Sequence, residues 1–247
     1  MQDLGLPQNR GKAFLSLRLD LKEDELMKNE QGLWTTPFIL LIFGNLFTFM
    51  SFQMLIPTMP PYMKAMGGTE TQIGLVTALF SIGAILSRPY IGHLLEFNKR
   101  KWLVIGGAVS LFFVTLLYPL TQIIVLFLLL RLLHGLAWGL STTVNGTAAV
   151  DIVPRERIGE GMGYFGLSIT IGMIVAPSLG IFLYQTYSFQ VMISVSVILG
   201  AIAVLLFSIT KFTTPKSVAE KKKEQIKFSF LSSLYEKDCW FPVLVTF

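Results

Sequence analysis

Six long apolar runs constrain this chain more than any other feature of its sequence. They cover residues 37–57, 73–95, 102–120, 123–150, 162–184 and 189–209. None contains Asp or Glu, and Lys or Arg occurs within them only as Arg88 and Arg131. A bilayer core about 30 Å thick requires about 20 apolar residues at roughly 1.5 Å each. Because lipid offers the backbone no hydrogen-bond partner and the runs do not alternate like barrel strands, each run predicts a transmembrane helix, here called spans 1 to 6.

The overall composition excludes most other classes of protein. Charged residues make up 14% of the chain and its mean hydropathy is +0.63, whereas soluble domains carry about 25% charge. The single cysteine, Cys239, excludes an internal disulfide, and the two histidines lack the spacing of a metal site. We see no motif of a hydrolase or of an ATP-driven pump. We therefore predict neither an enzyme nor a bound metal or cofactor.

Basic residues are concentrated in alternating loops. They occur between spans 2 and 3, between spans 4 and 5, and after span 6, whereas loop 1–2 contains only Lys64 and the other two loops contain none. The positive-inside rule then predicts a multi-pass protein of the plasma membrane with a cytoplasmic N-terminus. The net charge of +5 is thereby explained by membrane topology, and we expect the lipid bilayer as partner and no nucleic acid.

The polar ends of the chain flank the predicted bundle of residues 34–210. Residues 1–33 are predicted to form a cytoplasmic segment, either a disordered extension or one whose natural start is Met27, because codons for residues 22–24 can spell a ribosome-binding sequence. Residues 211–238 are predicted to form a basic cytoplasmic linker. Residues 239–247 are apolar but too short to cross a bilayer, so we expect a chain that is truncated early in a seventh helix.

The loop between spans 2 and 3 carries a recognisable motif. Its residues Gly92, Leu94, Arg100 and Lys101, preceded by Arg88, match the G-x-L-x-D-R-x-G-R-K signature, and Glu96 stands where that signature has Asp. Phe97 and Lys99 depart from it. In this loop the chain resembles the major facilitator superfamily, in which the acid and bases form a cytoplasmic charge cluster that latches the two halves of a transporter. The alternative is a basic loop that only sets topology.

The resemblance covers residues 34 to about 212 and implies an all-α integral membrane fold, the six-helix N-terminal half of such a transporter. In this family spans 1–3 and 4–6 form a 3+3 inverted repeat, and the substrate site lies near the midplane between two halves. The resemblance thus implies a small-molecule substrate and a partner, either the missing C-terminal six-helix half or a second half-transporter chain.

Polar residues share one stripe of span 4. At 100° per residue, Arg131, His134, Trp138 and Asn145 fall on one face, and the first two resemble the family's R-x-x-q-G pattern. A charge near mid-bilayer costs about 2.5–3.5 kcal/mol and must face the bundle interior or water. One hypothesis is a cavity wall that contacts substrate or tunes a proton site; the alternative is a buried Arg paired with backbone carbonyls.

Spans 1, 2 and 5 carry further candidates. In the family, helices 1 and 4 line the central cavity, which makes Asn45 and Gln53 of span 1 cavity residues, with helix–helix hydrogen bonding as the alternative. Span 5 carries Gly172, Ala176, Pro177 and Gly180 in a pattern similar to the family's antiporter signature, or a small-residue packing face with a proline kink. In span 2, one stripe predicts close helix packing, apart from Arg88 near its cytoplasmic end; its residues are Gly74, Thr77, Ser81, Ala84, Arg88 and Gly92.

Together these resemblances imply a proton-linked antiporter that exports small hydrophobic or amphipathic compounds, driven by the proton motive force. Because no carboxylate lies in the apolar runs, proton coupling would need Glu96, Asp151 or Glu160 at their ends, or an acid in the missing half. Two alternatives stay open. One is a facilitator or importer of sugars or other solutes, and the other is a non-transporting fragment or membrane partner subunit.

Overall fold

The computed structural model describes residues 32–97 and 99–212, except for the side chains of residues 96 and 97. Within that part, six helical segments are long and apolar enough to cross a membrane, as the sequence predicts. They are Thr36–Ala65, Glu70–Leu95, Arg100–Leu120, Ile124–Ile152, Arg155–Thr186 and Phe189–Ile209. The predicted start at Met27, the linker beyond residue 212 and the beginning of a seventh span lie outside the described residues.

The secondary structure follows these spans closely. Span 1 consists of two helices, Thr36–Gln53 and Leu55–Ala65, and span 2 is the helix Glu70–Phe97. Span 3 is the helix Arg100–Leu117 followed by a 3-10 turn, Tyr118–Leu120. Span 4 is Ile124–Ile152, span 5 begins with a 3-10 turn at Arg155–Arg157 and continues as Ile158–Thr186, and span 6 is Phe189–Ile209.

Several helices extend beyond the apolar runs. Span 5 begins at residue 155 rather than 162, because its charged first turn remains helical where apolarity ends. Span 1 continues to Ala65 through Pro60 and Pro61, with an interruption at Met54. Three residues beyond that interruption, Pro57 lacks the N–H that would bond a carbonyl four residues earlier. Prolines therefore shape span 1 beyond the interruption.

Spans 1 and 4 each pack on helices from the other half of the bundle. Span 4 packs against spans 2 and 3, whereas span 1 packs against spans 5 and 6, and span 3 also packs against span 6. Spans 1 and 4 contact each other only sparsely. The first helix of each predicted triplet thus packs mainly on the last two helices of the other triplet. Spans 1 and 4 are the two most buried spans of the described bundle, and each still exposes some apolar side chains.

Spans 2 and 4 make the closest contact through glycines. A Cβ on Gly135 would lie 2.0 Å from the carbonyl oxygen of Phe80, and one on Gly83 would lie 2.4 Å from the carbonyl oxygen of Leu132. A Cβ on Gly139 would lie 2.8 Å from the carbonyl oxygen of Ala84. The absence of side chains at these glycines lets the two backbones touch, as small residues do in membrane helix pairs.

The sequence predicts a close-packing stripe on span 2, and within the described bundle this prediction is wrong. Ala84 is buried, but the other five members are exposed, namely Gly74, Thr77, Ser81, Arg88 and Gly92. The face that packs on span 4 instead includes Val76, Gly83, Ser87 and Ile91. The error has a physical cause: small residues permit close approach on any face, and the glycines of span 4 select which face of span 2 is used.

Candidate functional site

Arg131 lies inside the bundle, between spans 4 and 2. Its side chain is 2% exposed, and its Nε donates a hydrogen bond to the carbonyl oxygen of Val76 at 3.0 Å. The guanidinium carbon lies 5.1 Å from the ring centroid of Phe80, a cation–π distance. Its Nη1 has no hydrogen-bond partner among the described residues. Of the two interpretations of Arg131, this arrangement matches the Arg that is paired with a backbone carbonyl.

His134 is held one helical turn further along span 4. Its Nδ1 lies 3.2 Å from the hydroxyl oxygen of Tyr118, and both residues are at most 1% exposed. The imidazole and the ring of Phe52 on span 1 make a T-shaped contact at a centroid distance of 5.4 Å. His134 therefore connects spans 1, 3 and 4 within the core, and no free surface reaches it in this arrangement.

Trp138 belongs to a stack of aromatic rings that crosses three spans. Its ring stacks on Phe52 at a centroid distance of 3.9 Å, and Phe52 stacks in turn on Phe80 at 4.8 Å. Phe49 packs its edge against Trp138 at 4.8 Å. Of the six predicted cavity residues, all of which lie in the described part, Trp138 alone is partly exposed. Trp138 is therefore the predicted cavity residue that a substrate could contact in this arrangement of the helices.

The predicted amides of spans 1 and 4 form a buried hydrogen-bond network with span 5. Asn45 Nδ2 donates to Ser168 Oγ at 3.1 Å, and Asn145 Nδ2 donates to Asn45 Oδ1 at 3.3 Å. Both asparagines are at most 1% exposed. Gln53 is buried as well, and its Oε1 has no partner within the described chain. Helix–helix hydrogen bonding describes these amides better than a cavity lining, which stays a prediction.

The loop between spans 2 and 3 supplies a buried ion pair. Arg100 is 7% exposed, and its Nε donates to Asp151 Oδ2 at 2.6 Å, while its Nη1 donates to the carbonyl oxygen of Leu95. One side chain thus joins the end of span 2, the start of span 3 and the end of span 4. The sequence alone identifies Asp151 only as an acid at a helix end. Because spans 3 and 4 are antiparallel, the end of span 4 lies beside Arg100 at the start of span 3. That arrangement of the spans could have predicted the ion pair from the sequence.

The other members of the loop signature are more open. Arg88 and Gly92 are exposed, and Lys101 is partly buried. The side chain of Glu96 lies outside what the structure describes. The predicted charge cluster is therefore visible only through Arg100, whose partner is the acid of span 4. The latching role of this loop stays a prediction.

Span 5 meets span 1 through its small residues. A Cβ on Gly172 would lie 2.9 Å from Phe49 Cβ, and one on Gly180 would lie 2.6 Å from the carbonyl oxygen of Met54. Ala176 between them is fully buried, and Pro177 lies within an uninterrupted helix. The small residues therefore form a packing face against span 1, and their meaning as an antiporter signature stays a prediction.

The free faces of spans 1 and 4 are apolar. On span 4, exposed leucines recur on the side opposite Arg131, and they are Leu126, Leu129, Leu133 and Leu136. Span 1 exposes Ile39, Phe43 and Ile56. Among the described residues, no group of three or more His, Cys, Asp or Glu side chains is placed to hold a metal ion.

Six membrane-length helices, joined by hydrogen bonds between buried polar side chains, define a polytopic integral membrane protein. The Major Facilitator Superfamily model matches residues 41–247, and the chain therefore belongs to this superfamily of transporters.

Individual relatives are more distant. An uncharacterised MFS-type transporter of Methanocaldococcus jannaschii is 26% identical over 85% of this chain and 52% of its own length. Multidrug resistance protein 2 of Bacillus subtilis is 27% identical over 63% of this chain and 38% of its own length. Quinolone resistance protein NorA of Staphylococcus aureus is 24% identical over 84% and 53%.

A solved structure shows the same fold. The human organic anion transporter MFSD10 aligns with a TM-score of 0.60 at 16% identity, covering 73% of this chain and 48% of that one. The chain thus spans about half the length of the first curated relatives it matches.

Proposed function

We propose that this chain forms the N-terminal half of a secondary active transporter, which exports small hydrophobic or amphipathic compounds by alternating access in exchange for protons. The names of two relatives, a multidrug resistance protein and a quinolone resistance protein, support export of drug-like compounds. The span 5 pattern supports the antiporter branch. In this proposal the protein lies in the plasma membrane with its N-terminus in the cytoplasm, as the basic loops favour.

The free face of span 4 carries the proposal for the substrate class. Leu129 is 52% exposed and Leu133 is 48% exposed, whereas the charged and amide groups of the same helix are turned into the bundle. In the family the helices equivalent to spans 1 and 4 line the central cavity. A wall of leucines with Phe43 on span 1 favours apolar parts of a substrate, because an ion would lose its hydration there without a partner.

In this proposal the buried polar groups stabilise the packing of the six helices through hydrogen bonds between them. The proposal places the proton-coupling carboxylate outside the six apolar runs, since these contain no Asp or Glu. Asp151 at the end of span 4 is already paired with Arg100. An acid in the second half is the better candidate for proton coupling.

A second candidate is a membrane subunit that does not transport alone. The chain spans about half the length of the first curated relatives it matches. Alternating access requires one half to move against another, so this chain would need a second half in the same protein or in a separate chain. The two candidates differ in whether this chain, expressed together with what its gene encodes after codon 247, reduces the accumulation of a substrate in cells.

Transport is tested in bacterial cells that lack their own drug exporters. The chain is expressed alone and together with whatever its gene encodes after codon 247, and the accumulation of ethidium is followed with and without a protonophore. The proposal expects lower accumulation with the longer product, reversed by the protonophore. Lower accumulation that resists the protonophore would contradict antiport, and activity of the short chain alone would contradict the need for a second half.

Two matched variants test the proposed wall. Leu133→Trp and Ile198→Trp each place a bulky ring at an exposed position, nine residues into span 4 and span 6 respectively. We expect Leu133→Trp to change the set of compounds exported, while Ile198→Trp leaves it unchanged at equal protein level. An equal export profile for both variants would reject the span 4 wall.

A further inference from the structure

A small cavity lies between spans 1, 3, 4 and 6, and its mostly apolar lining includes four polar side chains. Its polar lining consists of Thr48, Ser51, Thr115 and His134, none of which is more than 7% exposed. The cavity volume is about 10 Å³, close to the least space in which one water molecule fits. Cavities without polar groups stay dry, whereas those with several polar partners hold ordered water.

The hydroxyl groups around this cavity have already used their protons. Thr48 donates to the carbonyl oxygen of Gly44 at 2.8 Å, and Thr115 donates to that of Leu111 at 2.8 Å. Ser51 donates to the carbonyl oxygen of Ser196, also at 2.8 Å. A hydroxyl has one proton and two lone pairs. The three oxygens therefore retain lone pairs that can accept a hydrogen bond.

His134 supplies the complementary group. Its Nδ1 is 3.2 Å from the Tyr118 hydroxyl. When that hydroxyl donates to Nδ1, a neutral imidazole carries its own proton on Nε2, which is then a donor. The lining thus combines one N–H donor with three acceptor oxygens, and the described side chains form no hydrogen bond across the cavity between Thr48 and Thr115.

We propose that this cavity binds one structural water molecule. The water accepts a hydrogen bond from His134 Nε2 and donates its two protons to hydroxyl oxygens, Thr48 on span 1 and Thr115 on span 3. Three bonds are the usual number for a buried water. The water links Thr48 on span 1, Thr115 on span 3 and His134 on span 4, three side chains that have no direct bond to one another among the described contacts. It stabilises the half as one body, whether or not the chain transports.

A double-variant cycle on the whole chain in detergent micelles tests the shared water. Thr48→Val and Thr115→Val remove the two acceptors with little change in volume. Because either substitution alone already weakens the binding of the water, the effects of the two should overlap. We expect the folding equilibrium constant of the double variant to be at least about twofold higher than the value obtained by multiplying the two single losses. Strictly multiplicative losses would overturn the proposal.

Thr58→Val is the matched control. The Thr58 hydroxyl also donates to the carbonyl oxygen four residues earlier, that of Met54 at 2.9 Å, and Thr58 is 1% exposed. Thr58 does not line the cavity. We therefore expect the losses in folding equilibrium constant caused by Thr58→Val and Thr115→Val to multiply in the double variant.

An experimental structure of the unmodified chain, at a resolution where buried waters are visible, gives a second readout. A density peak within hydrogen-bond distance of His134 and one of the threonines supports the proposal. An empty cavity overturns it.

Discussion

The glycine contact between spans 2 and 4 gives the sharpest test of how this bundle is held together. In Gly135→Ala the added Cβ would start 2.0 Å from the Phe80 carbonyl oxygen and 3.0 Å from the Ala84 backbone nitrogen. Real Cβ contacts essentially never fall below 3.0 Å, so the backbones must separate by about 1 Å. Because the obstacle is backbone rather than a flexible side chain, no rotamer change relieves it.

We expect Gly135→Ala to destabilise the protein by about 1–3 kcal/mol, the usual cost of overpacking. At about 2–4 °C per kcal/mol for a chain of this size, the melting temperature should fall by several degrees. The fall would be measured by intrinsic tryptophan fluorescence of the purified chain in detergent during heating.

Gly146→Ala is the control on the same helix. A Cβ there would meet nothing within 4 Å, and alanine favours the helix over glycine by about 0.5–1 kcal/mol. We therefore expect Gly146→Ala to melt at the same or a slightly higher temperature. Equal melting temperatures for the two variants would refute the reasoning that backbone contact holds spans 2 and 4 together.

Two further predictions concern buried charges. Arg131→Met removes the hydrogen bond to the Val76 carbonyl, and we expect a loss of about 1.5–3 kcal/mol in stability. Export should fall only in proportion to the amount of folded protein, so a well-folded variant with abolished export would show that Arg131 acts in transport directly. Asp151→Asn leaves Arg100 without its counter-charge, and breaking a buried pair costs about 3–5 kcal/mol. Because the two side chains keep some contact with solvent, with exposures of 9% and 15%, we expect a loss of stability at the lower end of that range. The double variant Arg100→Gln/Asp151→Asn should melt above Asp151→Asn alone, and a lower melting temperature would contradict the pairing.

The sequence predicts the number and kind of elements well. A run of about 20 apolar residues in a bilayer has no alternative to a helix, and all six runs are helices in the described part of the chain. The loop signature also leads to the family. Helix ends were predicted less well, because polar first turns such as that of span 5 remain helical outside the apolar run.

The contacts of the polar stripe on span 4 were decided by packing. Periodicity correctly places Arg131, His134 and Asn145 on one face, but it does not specify what that face contacts. The structure turns it toward spans 1, 2 and 3, where a backbone carbonyl, a tyrosine hydroxyl and an asparagine receive the three side chains.

Helical periodicity is a property of one segment, and from it the sequence by itself determined six membrane-crossing helices and the residues that share each face. Which faces meet depends on pairs of residues far apart in the chain. The ion pair of Arg100 with Asp151 spans 51 positions, and the Gly135 contact with the Phe80 backbone joins two separate helices. Only the tertiary structure decided those pairs, and with them the polar interior and the apolar surface of spans 1 and 4.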